Sequence, residues 1–414
     1  METKNTPFTT GTFQKIWKKH FIPNKSINTF KFISGINFYK SAFLPLYFNA
    51  GKNLTKGNNY KIYDCADYKN KCYVVYDTLP HLNDASTDFL KDLGIYKSIQ
   101  YPGFLINLDK FKTIDEYLLS TFSKNTRMKM RKFTKRLDIC FNISTKMFFG
   151  GINKDEYEEV FDSFMILLKK RYQDKQISYN NMQPSEWNFY KEVAYPLILE
   201  KKASLFVVYD NKTPIAITYN YHTEDTLIDA ITVFDIDYSK FNIGYVNNLK
   251  LLSWCFDNNL KTLDFSKGYF DYKKRMCTLE YNFEYHIIYD KKSVISKFIA
   301  FSYYNFLEFK TYLRSKKLDV KFHKITYFLK NKKHSKLYKE AQITKLETLP
   351  FSNDLLKIDI KENTNYHFLT KPVYDFLYLV VKSYNEIDIY KMKNENNTYI
   401  VSCDTLIQQV KFMQ

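Results

Sequence analysis

The sequence predicts an α/β (α+β) fold: a mixed, mostly antiparallel sheet flanked by helices, with one neighbouring strand pair running parallel and splayed. Three observations carry this. Three β runs, Ser204–Tyr209, Ile215–Tyr221 and Leu227–Phe234, are separated by short turns and read as an antiparallel meander. Tyr245, Leu249, Leu252 and Phe256 then mark one helical face before Lys261–Phe265 returns as a strand, so a right-handed crossover can set that strand parallel to Leu227–Phe234. Finally, 414 residues with 45% apolar side chains exceed one ordinary domain of ~100–200 residues and can fill two cores.

Residues 1–112 mix strand-like runs (Tyr60–Tyr63, Cys72–Tyr76, Phe104–Leu108) with helical ones (Phe13–Phe21, Ala85–Leu93), punctuated by Asn, Gly and Pro. They read as a second, small α/β N-terminal domain. Thr113–Asp138 reads as one helix that opens with Thr113 and Glu116 as a capping box. Its stretch Lys124–Leu137 holds seven basic residues and no acid, which suits a solvated face, a phosphate-binding surface or a domain-joining one. Asp155–Tyr172 repeats apolar residues at helical spacing, Pro184 opens another helix, and Pro196 is expected to kink or end it. After the crossover, Leu279–Tyr289 supplies the last strand of a domain spanning 113–290. Residues 291–345 read as a basic, aromatic helical segment, with Ile295–Leu313 helical and a Lys excess over Lys310–Lys339. Basic and aromatic side chains on such helices suit peripheral contact with an anionic membrane, or packing on the preceding domain. Residues 346–414 read as a small α/β appendage with a helix near Pro372–Tyr384 and a run at Tyr399–Val401.

Composition narrows the function. The charge balance is 62 − 44 = +18, which attracts anions, yet only six of the 62 cations are Arg (127, 131, 136, 171, 275, 314). Arg is the residue that reads guanine and clamps phosphate, so its scarcity weighs against nucleic acid as a partner. With 10 Gly and no G-x-G-x-x-G, dinucleotide folds lose support. The six Cys form no C-x-x-C and stand beside no His at metal spacing, so no metal is expected and the thiols read as free in a reducing compartment. Met1–Thr10 lacks a secretory apolar core, and the best apolar run, Val294–Phe309, is interrupted by Lys297 and Glu308, so a cytoplasmic protein is expected.

Two segments carry candidate chemistry. Asp235–Val246 links the third meander strand to the crossover helix; Gly244 would let backbone approach a ligand, and Lys240 adds charge. In Leu263–Met276, Asp264 ends a strand, Gly268 turns, and Tyr272, Lys273 and Arg275 follow, an acid, a phenol and cations at the mouth of a splayed sheet.

The element order and three motifs resemble the CelD/BioF-like acyltransferases of the GNAT superfamily, relatives of the FemAB peptidyl transferases. Arg127, Arg131 and Lys135 in TRMKMRKFTKRL are similar to that family's R-x-x-L-R-R helix. Phe234, Asp235 and Tyr238 through Gly244 are similar to its Y-D-x-x-Y…G segment. Asp264-Phe-Ser-Lys-Gly268 with Asp271, Tyr272 and Lys273 is similar to its D-F-G-R-G-D-x-x-Y-K motif, with Ser266 in place of Gly, Lys267 in place of Arg, and the acid displaced to Asp271. The resemblance covers about residues 115–290 and also implies a degenerate GNAT-like N-terminal domain. It implies transfer of an acyl group from a thioester, with acyl-CoA or acetyl-CoA as co-substrate and no metal, to an amine of a small molecule, lipid or cell-envelope precursor. Asp264, His222 and Asp229 are then candidates to help remove the amine proton, and Tyr272 or Tyr238 to protonate the leaving thiolate. Val233 and Phe234 would offer backbone to the donor and the oxyanion, with Lys240, Gly244 and Tyr245 beside it. Lys267, Lys273, Arg275, Arg127 and Arg131 would bind anionic parts of the substrates. Two alternatives stay open: a GNAT-like module that binds an anionic ligand or membrane without catalysis, and a basic nucleic-acid-binding protein.

Overall fold

A computed structural model of the chain describes residues 6–80, 91–176, 179–316 and 341–413. After helix α1 (Gly11–Phe21) come strands β1 (Ile27–Phe30), β2 (Ile33–Lys40), β3 (Leu46–Asn49), β4 (Lys61–Ile62), β5 (Cys72–Thr78) and the long β6 (Leu93–Asn107). Helices α2 (Ile114–Thr121) and α3 (Lys124–Cys140) lead to β7 (Ile143–Phe148), α4 (Lys154–Lys175) and α5 (Pro184–Leu199). The meander is β8 (Ala203–Asp210), β9 (Thr213–His222) and β10 (Thr226–Phe234), followed by the crossover helix α6 (Ile243–Asp257), β11 (Thr262–Lys267), the short α7 (Asp271–Met276), β12 (Leu279–Asp290) and α8 (Val294–Ser315).

These strands form one sheet of order β1-β2-β3-β5-β12-β6-β11-β10-β9-β8-β7, with β4 on β2. It is antiparallel except for β3–β5 and β10–β11. The sheet runs unbroken past residue 112 because β12 pairs with both β5 and β6, while β6 pairs with β11 on its other side. The strands alternate between two cores: Leu205 and Val207 face α1, α4, α5 and α8, and Phe206 and Val208 face α3, α6 and the C-terminal unit. Burial on both faces explains why the meander strands read as continuous apolar runs.

Three local differences from the sequence reading have physical causes. The expected helix Thr113–Asp138 is two helices, parted where the Phe122 ring turns into the core and Ser123 caps the Thr126 N–H at 3.4 Å. Thr113 Oγ1 caps the Glu116 N–H at 3.2 Å, but the Glu116 carboxylate takes the Lys112 N–H at 2.7 Å, so half of the capping box is displaced. The run at Phe104–Leu108 is the end of a fifteen-residue strand. Its Gly94 and Gly103 resemble turn signals, yet they stand opposite Tyr289 and Tyr281 on β12, whose rings fill the space a Cβ would need. Of the expected helix Ala85–Leu93, residues 85–90 lie outside the described residues and Leu93 begins β6. Pro196 sits within the end of α5 without stopping it before Leu199.

The C-terminal unit is a five-stranded antiparallel sheet of β13 (Ala341–Leu346), β14 (Leu355–Lys357), β15 (Asp388–Met392), β16 (Thr398–Ser402) and β17 (Ile407–Phe412), with helix α9 (Thr370–Val380). Residues 317–340 of the expected helical segment 291–345 lie outside the described residues, and its end is strand β13. Helix α9 docks on α3 and the turn 236–241. The Phe141 ring is surrounded by Tyr238 (4.9 Å), Phe241 (5.2 Å) and Tyr374 (4.8 Å), and Arg136 lies 4.5 Å over the Tyr378 ring while donating to the Tyr378 carbonyl at 2.5 Å. One side of the basic helix therefore joins units. Among the described residues no helix is long and apolar enough to cross a membrane. Phe141→Ala should cost about 3–5 kcal/mol, as expected when a buried ring is removed, read as a lower urea midpoint; an unchanged midpoint would show that this junction contributes nothing.

Candidate active site

The site begins where two strands stop pairing. β10 and β11 pair only through Thr226–Thr262, Leu227–Leu263 and Ile228–Asp264. One residue further, both break register against their outer neighbours: β10 between Asp229 and Ile231, and β11 between Asp264 and Lys267. On β11 the break places Ser266 at φ +59°, and Asp264 Oδ1 holds that turn by accepting the Ser266 N–H at 2.7 Å. On β10 the bulge lets the Thr232 hydroxyl donate to Asp229 Oδ1 at 2.8 Å. The Thr232 carbonyl accepts from Arg171 at 3.3 Å. Between the diverging strands lies a cavity of about 730 Å³.

Helix α6 forms one wall through Gly244, Tyr245 and Asn248. A Cβ on Gly244 would fall 2.5 Å from the Phe234 ring, so glycine permits the close approach of helix and strand end. Lys170 anchors the preceding turn by bridging Asp235 and Asp237 from α4. The next residue, Arg171, lies 4.1 Å over the Phe234 ring.

The cavity collects buried charge. Asp229 is buried on its wall; burial raises its pKa, while Lys273, the Thr232 hydroxyl and Lys56 pull it down. Burial lowers the pKa of Lys273, opposed by Asp229 and Asp264, and its Nζ donates to the Lys267 carbonyl at 3.2 Å. Lys56 is pushed down to about 7, chiefly by burial, and next by the Lys267 charge. Lys267 binds both oxygens of the fully buried Asp77 at 2.9 and 2.8 Å. Asn248 Oδ1 and Ser266 Oγ belong to buried cavity-lining residues and have no hydrogen-bond partner among the described residues. An acceptor and a hydroxyl without partners in a buried wall are seats for a polar ligand.

The structure brings Asp229, Tyr272, Phe234, Gly244, Tyr245, Lys267, Lys273 and Arg275 to this cavity. It places the other sequence candidates elsewhere. Asp264 lies behind the wall, where both carboxylate oxygens accept from the Tyr281 hydroxyl at 2.8 and 2.7 Å. His222 is a buried core residue, since β9 extends to it: it faces Phe149 at 4.4 Å, bonds Ser204 Oγ at 2.8 Å, and burial lowers its pKa to about 3, leaving it uncharged. Strand alternation turns the Val233 side chain into the opposite core. Lys240 is exposed on the turn, outside the cavity wall. Tyr238 donates to Asp210 at 2.9 Å within the C-terminal junction. Arg127 caps α2 by donating to the Phe122 carbonyl, and with Arg131 it lines a separate groove of about 470 Å³ beside Met130 and Leu249. Sequence reasoning missed Lys56, Asp77, Arg171, Asn248 and Tyr281. Arg171, one of six arginines, carried a compositional signal; Lys56 and Asp77 reach the site only through strand order.

The parallel pair that opens beside its crossover helix is the arrangement expected from the sequence for a GNAT-like fold. In agreement, residues 120–274 match the family model described as an acetyltransferase (GNAT) domain. Among solved structures the chain is similar to FemX, at 10% identity over 68% of this chain and 92% of that one, with a TM-score of 0.45. It is similar to the C-terminal domain (DUF2156) of a putative lysylphosphatidylglycerol synthetase from Agrobacterium fabrum, at 8% identity, 68% and 88% coverage, and a TM-score of 0.43. It is also similar to a tandem GNAT protein from the clavulanic acid biosynthesis pathway, at 9% identity, 70% and 90% coverage, and a TM-score of 0.33. No curated protein matches the chain.

The buried Asp264 has a measurable consequence. Burial raises its pKa from 3.8 to about 6, against the hydrogen bonds from Tyr281 and Ser266. The native state therefore binds more protons than the unfolded one between these values, and stability falls as pH rises across that window. Asp264→Asn should gain stability over the parent across pH 4–6, reaching about 3 kcal/mol. Urea unfolding at several pH values checks this, and parallel pH profiles would refute it.

Proposed function

We propose that the cavity is the active site of a GNAT-type N-acyltransferase that moves an acyl group from a thioester, most simply acyl-CoA, to an amine. The observation that carries this is the fork of β10 and β11, with Asp229 at its apex between Lys56 and Lys273. The residues suit such a donor. The slot between the strands takes an elongated arm, Asn248 Oδ1 and Ser266 Oγ offer polar seats to its amides, and the start of α6 favours its anionic end.

The amine nitrogen attacks the thioester carbonyl carbon. Asp229 takes the amine proton, directly or through water; burial keeps this carboxylate more proton-avid than an exposed one. The unpaired edge of β10 beyond the bulge presents backbone N–H to the carbonyl oxygen as charge develops there. When the C–S bond breaks, the Tyr272 hydroxyl, whose pKa burial raises, gives its proton to the sulfur and regains one from the pool released by the amine. Lys56, Lys273, Arg171 and Arg275 line the remainder, which suits an acceptor that carries an anionic group: a small molecule, a lipid or a cell-envelope precursor.

Acetyl-CoA at ~100 times its dissociation constant should add about 2.7 kcal/mol of stability, seen as a raised melting temperature. Asp229→Asn should lower turnover ~10²–10⁴-fold with unchanged circular dichroism. The parent rate should rise with pH as Asp229 loses its proton, a limb that the variant lacks. No thermal shift, together with undiminished turnover in the variant, would end this reading.

A further inference from the structure

Helix α8 has two faces of different character. Ser296, Ile299, Ala300 and Leu307 pack inward on the core. On the opposite face Val294 (79% exposed), Ile295, Phe298 (71%), Phe301, Phe306 and Phe309 are each more than half exposed. A folded chain rarely leaves such a contiguous apolar strip in water without use for it. A further exposed apolar residue lies near the start of the helix. Ser296 Oγ donates to the Lys71 carbonyl at 2.7 Å, and the neighbouring Cys72 N–H donates to the Pro45 carbonyl at 2.9 Å. This sets the β2–β3 turn, with Phe43 at 96% exposure, beside the start of α8.

Charge selects the occupant. The exposed side of α8 carries Lys297 and Lys310, and Lys316 follows at its C-terminal end. The helix's one acid, Glu308, accepts from Ser98 Oγ at 2.7 Å, and Arg314 lies 3.9 Å over the Tyr101 ring. The outer face thus combines aromatic rings with positive charge and no acid. We propose that this face and the Phe43 turn form a docking surface for an anionic lipid bilayer, with α8 lying in the plane of the membrane surface. A helix of this pattern buries its rings among acyl chains while its lysines meet lipid phosphates. A second copy of the chain fits less well. Paired faces would set lysines against lysines, and a 22-residue helix offers a strip of roughly 33 Å by 10 Å, well short of the ~800 Å² per partner usual in a stable interface.

The test is co-sedimentation of the full chain with vesicles of pure phosphatidylcholine and with vesicles one-third phosphatidylglycerol. The expected result is binding at least tenfold stronger to the anionic vesicles, lost at least tenfold in the double variant Phe298→Glu/Phe301→Glu. Both side chains are exposed, so circular dichroism and melting temperature should stay unchanged. Lys297→Glu/Lys310→Glu should weaken binding to anionic vesicles alone. No binding by the parent overturns the proposal. Undiminished binding by the Phe variant also does, since it would reduce the effect to net charge. So does light scattering that shows a parent dimer which the Phe variant dissociates, or binding that appears only once residues 317–340 are replaced by a Gly-Ser linker. None of these outcomes depends on acyl transfer.

Discussion

Two adjacent strands break register at the same level, and the rest of the site follows from that coincidence. Had only β10 bulged, β11 could have followed its curvature and stayed paired. Because Asp229–Ile231 and Asp264–Lys267 both shift, the strands part after a single short stretch of pairing. Each bulge is held by a carboxylate: Asp229 receives the Thr232 hydroxyl, and Asp264 receives the Ser266 N–H. The two acids thus act first as carpenters of the fork. Of the two, only Asp229 also faces the cavity, while Asp264 lies behind its wall.

The second dependence is long-range. β12 lies between β5 and β6, and β6 in turn meets β11, so the early part of the chain becomes a wall of a cleft formed by the later part. Lys267 at the end of β11 bonds Asp77 just before the end of β5, and Lys56 enters the same cavity. Burial there drives Lys56 and Lys273 toward neutrality and Asp229 and Asp264 toward protonation. The network costs least when an anionic or polar ligand supplies what water no longer does.

Periodicity made much of the fold legible. The meander, the crossover helix and the parallel return strand follow from period-2 and period-3.6 patterns within about sixty residues. Gly244 was readable as a close-approach position, although the partner that it accommodates is the Phe234 ring. What stayed hidden depended on non-local pairing. Gly94 and Gly103 imitate turns until Tyr289 and Tyr281 are known to lie across from them. His222 reads as a turn residue until β9 is seen to reach it and Phe149 to cover it. Asp264 reads as a mouth residue until the Tyr281 hydroxyl is found on the far side. Lys56 and Asp77 carry no local signal, because only strand order brings them to the fork.

The fork itself can be interrogated by amide hydrogen exchange with and without saturating acetyl-CoA. A donor lodged between the strands should slow exchange at Ala230–Phe234 and at Ile243–Gly244, while β7 and the C-terminal sheet keep their rates. Bound acetyl-CoA with no protection on β10, or protection confined to the separate groove beside Arg131, would contradict the account.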